Sequence, residues 1–169
     1  MKKKGFELSI NFLVTLIITI VVFVLAISFA YNFFSKSSVL TASIDQQTTA
    51  ALRSMIMDQG MKVAVYPTQI EYKGKQEVMG IGILNILGAQ TDFIITVQCK
   101  TCIGTGCSCS SMKAVYNNKL TIPNNKDDVA VLVIKSNGAN PGTYIFDVTV
   151  TYPGSSDPYG GLQKVYVKI

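Results

Sequence analysis

The sequence predicts an α+β chain, with one long N-terminal hydrophobic helix followed by an antiparallel β-sandwich. Three observations carry this reading. From Phe12 to Phe34 there is no formal charge. From Ser35 to Gly60 apolar residues recur at helical spacing, with no proline and no internal glycine. From Met61 onward the pattern changes to short alternating runs divided by Gly, Pro and Asn turn signals.

The first element covers residues 6–34. Its charge-free part, 23 residues from Phe12 to Phe34, rises roughly 1.5 Å per residue as a helix, enough for a hydrocarbon core of about 30 Å. The run ends in Ser28-Phe29-Ala30-Tyr31-Asn32-Phe33-Phe34, with aromatics where a bilayer interface favours them. A cleavable secretory signal has a shorter apolar core and small residues at its far end. The expectation is a retained membrane-spanning helix. Lys2, Lys3 and Lys4 precede it and would hold the N-terminus in the cytoplasm.

Residues 35–60 follow as an amphipathic stalk. Val39, Leu40, Ile44, Ala51, Leu52, Met55 and Ile56 fall on one face, while Lys36, Asp45, Gln46, Gln47, Arg53 and Asp58 take the other. Gly60 stands where a C-capping glycine would. One helix from about residue 6 to 59 is the simplest reading, with Ser35-Lys36-Ser37-Ser38 as a place to bend. Residues 61–169 form the head. Strands are expected at 62–66, 69–72, 79–87, 92–99, 113–116, 119–122, 129–135, 143–152 and 164–169.

Composition excludes several functions. The chain of 169 residues has no histidine and no tryptophan, which removes Ser-His-Asp and Cys-His catalysis and imidazole metal sites. The net charge of +5 owes three units to Lys2–Lys4, and the remainder holds 12 basic against 10 acidic residues. No basic stripe is left for nucleic acid. No nucleophile–base pair stands out, so no enzyme and no cofactor are expected.

Four cysteines, Cys99, Cys102, Cys107 and Cys109, form C-x2-C-x4-C-x-C. Four thiolates can hold zinc, but the C-x-C half is a poor chelate. With Lys2–Lys4 inside, the head lies outside the cytoplasm, where disulfides persist. Two local disulfides are expected in preference to a metal, with three pairings open. Asn11, Thr15 and Thr19 recur every four residues in the apolar run. They either mark a helix–helix face or bond back to their own helix. Glu7 is either an interfacial residue or one that meets a positive partner on assembly. Gly80-Ile81-Gly82 reads as a strand with close backbone packing.

Lys3-Lys4-Gly5 followed by Phe6-Glu7-Leu8-Ser9-Ile10-Asn11-Phe12-Leu13 resembles an archaeal class III signal of the prepilin type. The resemblance implies cleavage between Gly5 and Phe6 by a prepilin peptidase, with the helix kept on the mature protein. Bacterial-type pilins resemble one another in a glutamate at the fifth mature position. Ile10 stands there in this chain, and Glu7 would be second, so the archaeal branch fits better. Pro141-Gly142-Thr143-Tyr144 and the alternation after it look like a late strand of Ig-like surface domains, in which the tyrosine forms a corner.

Together these resemble archaeal type IV pilins and archaellins, which implies a structural filament subunit serving adhesion or motility. The implied partners are copies of itself, the peptidase, an assembly ATPase and membrane platform, and the membrane before assembly. The implied location is the cell membrane for the precursor and a surface filament after it. Loss of residues 1–5 would remove three lysines that oppose outward extraction. The alternative is a single-pass membrane-anchored Ig-like binding or accessory domain that does not polymerise and keeps Gly5 uncut.

Overall fold

The computed structural model describes residues 10–40, 44–74 and 76–169, with side chains at 12–28 and from 44 onward apart from residue 75. The chain divides into two units, Met1–Leu40 and Thr41–Ile169.

The first unit contains helix α1, Ile10–Leu40. It is apolar all round: every described side chain, residues 12–28, is exposed, including Phe12, Leu16, Ile20, Phe23 and Ile27. Having no polar face, it has no preferred side to turn toward a core.

The second unit begins with helix α2, Gln46–Met57. Nine strands follow: β1 Val63–Tyr66, β2 Gln69–Glu71, β3 Glu77–Leu84, β4 Thr91–Ile103, β5 Met112–Tyr116, β6 Lys119–Ile122, β7 Asp127–Ser136, β8 Thr143–Thr151 and β9 Gln163–Lys168. They form two sheets, ordered β1-β3-β7-β5 and β2-β9-β8-β4-β6. Alternation builds the core between them. On β8, Tyr144, Phe146, Val148 and Val150 are buried and the residues between them are half-buried. They meet Met79, Ile81 and Ile83 of β3 and Leu132 and Ile134 of β7 within one buried cluster.

A second, smaller cluster lies where α2 covers the outer side of the β1–β3 pair. Leu52 and Ile56 are buried there with Ala64, each worth about 1.5–3 kcal/mol when fully removed from water. Gly80 and Gly82 make this approach possible. A methyl group at Gly82 would lie 2.7 Å from Ile56 Cδ1, and one at Gly80 would overlap Leu52. Close backbone packing at Gly80-Ile81-Gly82 is therefore what the strand provides.

The expected fold class is corrected in three respects. The chain is mostly β, and its helical part is two helices instead of one long hydrophobic helix. Residues 44 and 45 lie outside any helix, while Ser35–Ser38, the expected place to bend, is helical within α1. Asp45, expected on a polar face, is the N-cap of α2, and its carboxylate accepts from the Thr48 amide at 2.6 Å. Among the described residues no helix is long and apolar enough to cross a membrane. Finally, the sandwich is not wholly antiparallel, because β2 runs parallel to β9.

Candidate functional site

No cluster of three or more metal-ligating side chains occurs among the described residues, and the features that stand out are surfaces. Gly5, Phe6, Lys2, Lys3, Lys4 and Glu7 lie outside the described residues, and so does the side chain of Asn11. Within α1, the Thr19 hydroxyl donates to the Thr15 carbonyl at 2.8 Å. It bonds back to its own helix, so an interhelical polar contact is not needed to satisfy it.

The four cysteines pair as Cys99–Cys109 and Cys102–Cys107. Paired sulfurs leave no thiolate for zinc, and disulfides suit an oxidising compartment outside the cytoplasm. The two bridges are nested: Cys99–Cys109 pins the far end of β4 to the 3-10 turn Cys109–Ser111, and Cys102–Cys107 pins it to the loop before that turn. Close backbone approach shapes the same tip. At Gly104, with φ +157°, a methyl group would lie 2.6 Å from the Pro141 carbonyl oxygen. Here the Tyr144 hydroxyl donates to the Asn140 carbonyl at 2.8 Å, and its ring is fully buried. The expected tyrosine corner is present.

At the other end of the sandwich an open cleft of ≈ 570 Å³ is lined by Leu87, Gln90, Asp92, Thr121 and Tyr152. The Asp92 carboxylate accepts from Lys119 Nζ at 2.8 Å and from the Thr121 hydroxyl at 2.6 Å. These two bonds, Lys119 first, hold the Asp92 pKa below its ordinary value. Tyr152 stands edge-on to Phe93 and to Tyr159. The Tyr159 hydroxyl donates to the Leu84 carbonyl at 2.7 Å, and burial pushes its pKa up.

Sequence reasoning missed a groove along the seam between the two sheets. It has a volume of ≈ 440 Å³ and is lined by Val97, Lys100, Met112, Lys113, Tyr116 and Phe146, among others. These residues come from strands far apart in sequence, and no local spacing marks them.

No protein-family model matches the chain, and no curated protein matches it. Solved structures similar to it include a family 123 glycoside hydrolase from Clostridium perfringens. That likeness has 15% identity and a TM-score of 0.46, over 60% of this chain and 23% of the hydrolase chain. The cupredoxin domain of amoB from Nitrosocaldus yellowstonii is similar at 10% identity and a TM-score of 0.41, over 64% of this chain and 85% of that domain. A chaperone–tip adhesion subunit complex, CsuC–CsuE from the Csu pili of Acinetobacter baumannii, is similar at 13% identity and a TM-score of 0.41. It covers 63% of this chain and 51% of that one. Likenesses this distant carry no argument about what the chain does. The β-sandwich stands on its own strand ladders.

Proposed function

We propose that the chain is a pilin-like structural subunit of an archaeal extracellular filament, built through α1 after loss of residues 1–5. One observation carries the reading: the described side chains of α1 are apolar apart from Thr15, Thr19 and Ser28, and all are exposed. A continuous apolar surface in water marks a place of association. Helices of further copies cover such a surface, and a repeated head-to-tail contact grows into a filament instead of closing into a ring. The prepilin-type leader resemblance at Lys3-Lys4-Gly5-Phe6 supports the same reading. It supplies the peptidase, the assembly ATPase and the membrane platform as partners.

In this role the disulfide-pinned sandwich is the outward-facing part, and the task is structural, not catalytic. The test is to shear cells, pellet the high-molecular-weight surface fraction and sequence the N-terminal peptide by mass spectrometry. Pelleted chains beginning at Phe6, lost when Gly5→Val is introduced, are expected. Chains beginning at Met1 and recovered only in membranes would overturn the proposal.

A further inference from the structure

The seam between the two sheets presents two unpaired strand edges to each other. β5 ends its four-stranded sheet. The Asn137 amide donates to the Ser111 carbonyl at 2.8 Å, and Lys113 lies opposite Lys135. Antiparallel alternation then turns the main-chain groups of Lys113 and Val115 toward β7, and the Met112 carbonyl and the main-chain groups of Ala114 and Tyr116 toward the seam. Across it, β6 pairs with β4 only from Thr91 to Ile94.

Beyond that point the Ile95 amide donates to the Asn118 carbonyl at 2.9 Å, and the Val97 amide to the Tyr116 hydroxyl at 3.1 Å. A side-chain hydroxyl therefore stands where the carbonyl of a neighbouring strand would. The groove between the edges has an apolar floor of Val97, Met112, Ala114 and Phe146, and the Cys99–Cys109 bridge lies at its rim. Its two charged lining residues are Lys100 and Lys113, both exposed.

We propose that this groove accepts an extended, acidic segment of a partner protein, which adds as a strand along β5. The Met112 amide is held by the Cys109 carbonyl, so the Met112 carbonyl and the main-chain donors and acceptors of Ala114 and Tyr116 supply the ladder, which gives affinity without fixing a sequence. Alternate apolar side chains of the guest enter over Met112 and Ala114, and acidic ones meet Lys100 and Lys113. Charge rules out the chain's own undescribed segments as guests. Residues 1–9 carry three lysines against one glutamate, residues 41–43 are uncharged, and residue 75 is a lysine. The site is independent of whether the chain polymerises.

The test uses the full chain in detergent with a fluorescein-labelled, N-acetylated seven-residue peptide that alternates glutamate and valine. Saturable binding by fluorescence anisotropy is expected, with amide NMR shifts confined to Val97 and residues 112–116. The matching lysine–valine peptide, and the Lys100→Glu/Lys113→Glu double variant, should each weaken binding by about tenfold or more. Ala114→Pro removes an amide that faces the seam and spares the β7 ladder. It should abolish binding and leave the unfolding midpoint unchanged. Should that variant fail to fold, the charge-reversed pair decides. No binding at millimolar peptide, equal binding of both peptides, or shifts elsewhere on the sandwich would overturn the proposal and leave Lys113 as a guard against edge pairing.

Discussion

Gly80 in β3 lies so close beneath Leu52 of α2 that a methyl group on the glycine would overlap the leucine Cδ1. The helix sits on the sheet because the strand has no side chain there. Gly80→Ala should therefore cost about 1–3 kcal/mol, the range for overpacking a filled site. Pairing it with Leu52→Ala should restore part of that loss, since the two residues share one space. Urea unfolding of the two single variants and the double variant checks this, and strict additivity would contradict it.

Asn85 is the one buried polar side chain among the described residues. Its amide nitrogen donates to the Ala89 and Ile122 carbonyls at 2.8 and 2.7 Å, and its carbonyl accepts from the Leu87 amide at 3.0 Å. It ties the β3–β4 connection to the end of β6. Asn85→Ala removes three bonds and leaves buried main-chain groups without partners, so a loss of about 3 kcal/mol is expected. Hydrogen exchange should show that connection opening first.

The two disulfides close loops of 10 and 5 residues by sequence separation. Chain entropy assigns them about 2.7 and 2.1 kcal/mol. Replacing Cys99 and Cys109 by serine should thus destabilise somewhat more than replacing Cys102 and Cys107. Denaturant midpoints under non-reducing conditions provide the comparison.

Asp92 gives a pH dependence with a definite sign. Its pKa is lowered by Lys119 first and by Thr121 second. Its contribution to the β4–β6 pairing is complete above the ordinary aspartate pKa of about 3.9. It is lost as pH falls through the lowered native value. Carboxyl NMR titration should place Asp92 below the ordinary range, and Lys119→Ala should move it upward.

The strands were legible because their signals are local. Alternation in Tyr144-Ile145-Phe146-Asp147-Val148 and the Asn140-Pro141-Gly142 turn before it place β8 from neighbouring residues alone, and Gly80-Ile81-Gly82 read correctly as close packing. The helix break was harder to see. Asp45 fits the polar face of a continuous helix as well as it fits an N-cap. Only the Thr48 amide turned toward its carboxylate separates the two.

The candidate surfaces divide in the same way. The absence of charge from Phe12 to Phe34 is visible in the sequence alone, because hydropathy is a property of each residue. The order of the chain likewise limits the cysteines to three pairings. Tertiary structure decided which pairing forms, that β2 lies parallel to β9, and that Val97 and Tyr116 meet across an open seam. Each of those depends on which distant strands become neighbours. Sheet order is set by packing two faces over one core, and no single stretch of sequence contains it.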